Sequence, residues 1–130
     1  MSSAVLDASA LLACVHHEPG EEVVIDALLD GAMMSSVNFS EVVARLSDAG
    51  MPAEEIRATL ASFELAVTPF DEDAALAAGL LRPATRRAGL SLGDRACVAL
   101  AMREELPALT GDRAWRDVGS TLGVEVEVFR

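Results

Sequence analysis

Short apolar runs alternate with longer stretches of helical periodicity along the whole chain. "AVLD" (4–7) reads as a strand closing on a carboxylate, and "SALLACVHHE" (9–18) as a helix stopped by Pro19-Gly20. "EEVVIDALLDG" (21–31) predicts a second helix with acids in its first turn and a terminal glycine. "AMMSS" (32–36) is a short strand and "NFSEVVARLSDAG" (38–50) a helix ended by Gly50. "PAEEIRATLASF" (52–63) places Pro52 at a favoured helix start. "AVTPF" (66–70) reads as a strand, with Pro69 marking its end or a sheet edge. "DEDAALAAGLLRPATRRAG" (71–89) is helical with a break near Pro83, and "SLGDRACVALAMREE" (91–105) is a strong helix before Pro107. "PALTG" (107–111), "DRAWRDVGSTLG" (112–123) and "VEVEVF" (124–129) complete the pattern as strand, helix and period-two strand. Strands that alternate with helices imply right-handed crossovers and a mostly parallel sheet covered on both faces. The expected architecture is a three-layer α/β/α fold in one domain spanning 1–130.

Composition narrows this without changing it. Hydrophobic residues make up 52% of the chain, yet the longest apolar run, "ACVALAM" (96–102), is far below the roughly 20 residues of a membrane span. The start lacks the basic region of a signal peptide, so the expectation is a soluble cytoplasmic protein without a membrane partner. Cys14 and Cys97 lie far apart with no histidine cluster near either, which favours buried structural thiols over a disulfide or thiolate site. His16 and His17 are neighbours, diverge by about 100° on a helix and suit a helix end.

The formal charge is −11, and all ten basic residues are arginine. Such a surface opposes non-specific grip on a phosphate backbone. Arg82, Arg86 and Arg87 in "RPATRRAG" (82–89) form one local basic cluster, either a binding surface or a solvated helix end.

Four acids fall near the edge where parallel sheets collect ligands. Asp7 closes the first strand, Glu41 follows the second in "NFSE", and Asp112 follows the fourth in "ALTGD". Asp94, in "SLGD", starts the helix leading to that fourth strand and is the hardest to place. Each has a capping role available. Asn38 and Ser91 stand three residues before Glu41 and Asp94, as in a capping box, and Asp7 and Asp112 could cap the helices they precede. Caps do not require carboxylates, however, and several acids gathered in one place repel unless a cation neutralises them. An all-oxygen set without cysteine or histidine selects Mg²⁺ or Mn²⁺ over zinc, which points to phosphate chemistry.

The four motifs "VLDASALLA", "NFSEVVARL", "LSLGDRACVALA" and "ALTGDRAW", in this order and over essentially the whole chain, resemble the PIN-domain family. The resemblance is strongest to the VapC toxin ribonucleases of type II toxin–antitoxin systems. It implies that Asp7, Glu41, Asp94 and Asp112 are the catalytic acids around one or two Mg²⁺ or Mn²⁺ ions. Ser9, Asn38 and Thr110 would support them from behind. The implied activity is endoribonuclease cleavage by metal-activated water, leaving a 5′-phosphate and a 3′-hydroxyl. The implied partners are an RNA substrate, a VapB-type antitoxin and a second copy of the chain in a homodimer. Arg82, Arg86, Arg87 and Arg95 are the RNA-binding candidates, with Arg95 also suited to an ion pair beside Asp94. The small basic cluster leads to the expectation of one structured RNA, such as a tRNA or rRNA, rather than bulk degradation. The antitoxin would be clamped by the helices at 21–31 and 52–66, and Met33, Met34 and Trp115 read as core. Asp117 has no firm counterpart and reads as a solvated helix face.

Two other readings remain at this point. A catalytically inactive PIN fold that only docks a partner is opposed by the intact acidic set. A metal-dependent phosphatase is opposed by Ser9, where such enzymes carry a second aspartate, and by the absence of any lysine.

Overall fold

The computed structural model of the protein describes residues 2–130. Five short strands form one all-parallel sheet: β1 (Val5–Leu6), β2 (Met33–Ser35), β3 (Ala66–Thr68), β4 (Ala108–Thr110) and β5 (Val126–Val128), in the order β3-β2-β1-β4-β5. Val5 pairs with Met33 on one side and Ala108 on the other, so β1 is central. Pro69 follows β3, an edge strand, where its missing N–H breaks no ladder.

Side chains along each strand alternate between two hydrophobic cores, which makes the three layers. Leu6, Met34 and Leu109 face one core with helices α1 (Ala8–Val15), α2 (Glu21–Leu29), α3 (Ser36–Asp48) and α4 (Ala53–Ala61). Val5, Met33 and Ala108 face the other, with α7 (Leu92–Glu104) and α8 (Trp115–Leu122). Trp115 is fully buried there and anchors α8. Met34 is fully buried and Met33 partly so.

The helical stretch over 71–89 divides as its proline requires. α5 (Glu72–Leu80) ends before Pro83, which sits in the first turn of the short α6 (Arg82–Thr85). Strand and helix starts then fall where the chemistry needs them. Each parallel strand delivers its carboxyl end to one edge, and α7 must return from that edge to feed β4. The start of α7, and with it Asp94, therefore lies at the same edge as Asp7 and Asp112. His16 caps the C-terminal end of α1 and His17 follows it at φ 54°, both exposed, as their helix-end reading expects.

Candidate active site

Asp7 stands where β1 hands over to α1, 6% exposed. One carboxylate oxygen, Oδ1, caps α1 by accepting from the Ala10 N–H at 2.9 Å and also accepts from the Ser9 hydroxyl at 2.7 Å. The other, Oδ2, accepts from the Thr110 hydroxyl at 2.6 Å. Both hydroxyls are held from behind: Ser9 Oγ accepts from the Gly111 N–H and Thr110 Oγ1 from the Asp112 N–H, each at 3.0 Å. Ser9 and Thr110 thus lash the end of β1 to the end of β4 and fix the Asp7 carboxylate between them.

Glu41 is held differently. α3 begins two residues earlier than its sequence pattern suggests, capped by the Ser35 hydroxyl on the Val37 N–H, because Ser36 and Val37 continue β2 directly into helix. Asn38 is therefore a buried helical residue and not a cap. Its Nδ2 donates to Glu41 Oε1 and to the Gly93 carbonyl, both at 2.9 Å, pinning α3 to the start of α7. The Glu41 carboxylate lies against the bare Cα of Gly93: a methyl group there would stand 2.6 Å from Glu41 Cδ and closer still to Oε1.

Asp94 does complete a capping box: its Oδ2 accepts from the Ser91 N–H at 3.0 Å, and Ser91 Oγ accepts from the Asp94 N–H at 3.2 Å. Asp112 accepts the Ala114 N–H on Oδ1 at 2.9 Å, ahead of α8 rather than as its cap. Each keeps a second oxygen outside these bonds. Asp7, Glu41, Asp94 and Asp112 all line one open cavity of about 1050 Å³, together with Ser9 and Asn38.

The sequence matches the PIN domain over residues 4–120, nine-tenths of the chain. The chain belongs to the PIN domain family. In structure this PIN domain is similar to a DNA-bound VapBC complex from Salmonella typhimurium, with TM-score 0.74, 18% identity, and 98% of each chain covered. It is similar to VapBC2 from Rickettsia felis bound to a promoter DNA fragment, with TM-score 0.72, 16% identity, and coverage of 95% and 96%. VapBC-5 from Mycobacterium tuberculosis gives TM-score 0.59 at 24% identity, covering 100% and 99%. In sequence, no curated protein matches the chain.

The acids of the PIN domain press on one another. Burial raises the Asp7 pKa above its ordinary value, against the three hydrogen bonds it accepts, and the charge of Asp94 raises it further. Glu41 is raised too, first by desolvation and then by Asp94, while Asn38 and Arg45 pull it back. The residue as a whole is exposed, but its carboxyl end is shielded where it meets Gly93. Cys97, completely buried beneath them, has its thiol pushed far up by desolvation and by Asp7, Asp94 and Glu41. Among the described residues no three aspartate, glutamate, cysteine or histidine side chains stand together closely enough to hold one metal ion as they are placed. The carboxylates around the open cleft are an oxygen-only donor set, which fits Mg²⁺ or Mn²⁺, ions that need few direct protein ligands and take water in the remaining positions. It lacks the histidine or cysteine ligands that zinc sites draw on.

The arginines fall elsewhere than the sequence cluster suggests. Arg82, Arg86 and Arg87 are exposed but line no part of this cavity. Arg95 is half-buried and donates to the Ala78 carbonyl at 3.1 Å, so it ties α7 to α5; among the described residues it has no ion-pair partner and does not line the cleft. Arg45, Arg113 and Arg130 line the cavity instead. Arg45 was readable in principle, one helical turn beyond Glu41 on α3. Arg113 is next to Asp112. Arg130 has no sequence signal, because only the pairing of β5 with β4 brings it there.

Proposed function

We propose that the protein is a VapC-type toxin: an Mg²⁺- or Mn²⁺-dependent endoribonuclease restrained by a VapB-type antitoxin. The observation that carries this reading is the convergence of Asp7, Glu41, Asp94 and Asp112 on one cavity, from four separate elements of a PIN fold. A bound divalent cation supplies Lewis-acid activation of water and neutralises charge at the scissile phosphate. Hydrogen bonds from Ser9 and Thr110 aim the Asp7 carboxylate and offset part of the cost of burying its charge, Asn38 does the same for Glu41, and the capping box fixes the backbone that carries Asp94. Among the described residues no histidine, cysteine or lysine lines the cavity, so proton transfer rests on the carboxylates and solvent.

Glu41→Gln changes one charge on an exposed residue and leaves the fold intact. Expression of the parent is expected to arrest growth, and the purified protein to cut RNA with Mg²⁺ or Mn²⁺ but not with EDTA. Glu41→Gln is expected to lose both effects. A parent that cuts no RNA under any divalent cation defeats the reading.

Two apolar surfaces fit the proposed partners. A groove of about 550 Å³ between α3 and α4, lined by Phe39, Val43, Ile56 and Leu60, suits an antitoxin helix. α4, within the stretch 52–66, lines this groove, while α2 packs on α1 and lines none of it. On the other side, α5 leaves Leu76 and Leu80 63% and 71% exposed, a face suited to a second copy of the chain. Leu80→Glu is expected to convert a dimer to a monomer in light scattering while the circular dichroism spectrum stays that of the folded parent. An unaltered mass after that substitution places the dimer contact elsewhere.

A further inference from the structure

A chain of charge −11 that acts on RNA needs cations where the strand meets the acids, and the cavity has them at its rim. Arg45 lies on the α3 flank, one turn beyond Glu41. Arg113 and Arg130 lie on the opposite flank, after Asp112 and after β5. The Arg130 guanidinium covers Gly111, where a methyl group would stand 2.6 Å from Nε. Its backbone carbonyl accepts from Arg113 Nε at 3.4 Å, so the two arginines are neighbours. Among the described residues neither Arg45 nor Arg113 is ion-paired, and Arg130 has only a loose, half-exposed contact with Glu18 at 3.6 Å. Exposed arginines held beside carboxylates but not spent on them are available to an incoming anion.

We infer that Arg45 on one flank and Arg113 with Arg130 on the other form the substrate track, gripping the phosphates on either side of the one that faces the carboxylates. This rests on the ribonuclease reading above and gives that site its substrate geometry: a single strand crossing the cleft from α3 to the β4–β5 edge. Among the described residues no aromatic side chain lines the cavity, so the track holds the backbone and stacks no base. The site itself therefore discriminates little between sequences. Arg82, Arg86 and Arg87 take no part.

The test uses the full chain carrying Glu41→Gln in Mg²⁺, so that binding is read without cleavage. A fluorescein-labelled 12-nucleotide single-stranded RNA is titrated by anisotropy across a salt series. Adding Arg45→Gln, Arg113→Gln and Arg130→Gln together is expected to weaken binding about tenfold or more. It is also expected to flatten the slope of log affinity against log salt by about 2, since single strands lose about 0.7 per phosphate contact. Arg82→Gln, Arg86→Gln and Arg87→Gln together are expected to change neither quantity. An unchanged slope in the first set, or a flattened one in the second, overturns the track while leaving the nuclease standing. If the unsubstituted chain cuts RNA in none of these salts and the Glu41→Gln chain binds none, the track falls together with the reading beneath it.

Discussion

Gly93→Ala is expected to cut RNA cleavage roughly a hundredfold while leaving the melting temperature at or slightly above the parent's. The two effects have separate causes. Gly93 lies in the first turn of α7 with an ordinary backbone conformation, so alanine is compatible there and reduces the entropy of the unfolded chain, worth about 0.4–1 kcal/mol. The added methyl group, however, occupies the space of the Glu41 carboxylate. That carboxylate is the far end of a flexible, exposed side chain, so it yields before the helix does and swings away from its bond with Asn38. A misplacement of about 1 Å in a catalytic group costs on the order of a hundredfold. Combining Gly93→Ala with Glu41→Asp, which withdraws one methylene, is expected to recover part of the loss. Calorimetric titration with Mn²⁺ gives a readout independent of turnover and is expected to weaken in Gly93→Ala. A variant that cuts as fast as the parent, or that fails only because it unfolds, removes Gly93 from the site.

Asp7→Asn is expected to abolish cleavage, well beyond the roughly 10–100-fold that losing a supporting residue costs. In metal-free buffer at neutral pH it is expected to raise stability. Burial lifts the Asp7 pKa above 3.8, so the folded chain holds that proton more tightly than the unfolded one. Stability of the metal-free protein therefore falls as pH climbs from 3.8 through the raised value and stays reduced above it. Glu41, also raised, adds a fall of the same sign. Asparagine removes the Asp7 share and can keep the bond from Ala10 on its oxygen, while its amide donates toward Thr110 in reverse. The pH profile of thermal unfolding in EDTA should accordingly be shallower for Asp7→Asn. A variant less stable than the parent at neutral pH would show that the hydrogen bonds from Ser9, Ala10 and Thr110 outweigh burial. Both substitutions share one logic: functional groups are held at a cost to stability, and relieving that cost removes the function.

The layered fold was legible because it depends on local signals that agree. Apolar runs end at the carboxyl edge, prolines 19, 69, 83 and 107 punctuate, and the helices between strands force parallel pairing. The acids were legible for a related reason, since strand ends and helix starts fix their edge whatever the tertiary detail. What packs across elements was not. Nothing local marks Gly93 as the seat of Glu41, because the neighbours are 52 residues apart in sequence and meet only when α3 lies against α7. Asn38 has the spacing of a cap in sequence, but α3 starts at Ser36 and carries Asn38 inside it, where its bridge to the Gly93 carbonyl depends on the packing of α3 against α7. Proximity in sequence does not decide which arginines meet the acids: Arg82, Arg86 and Arg87 are close along the chain and line no part of the cavity, while Arg45, Arg113 and Arg130 are far apart in sequence and line it together.

The tie between Thr110 and Asp7 spans 103 residues of sequence. Such a contact forms only after β4 has docked beside β1, the longest loop closure the site requires. During synthesis, an emerging chain carries Asp7 and Glu41 before it has the strand that orients Asp7 or the aspartates that complete the set. The cleft is assembled only once β4 is free to dock beside β1. For a protein whose proposed substrate is RNA, that order leaves the acids of a nascent copy unassembled until β4 has emerged.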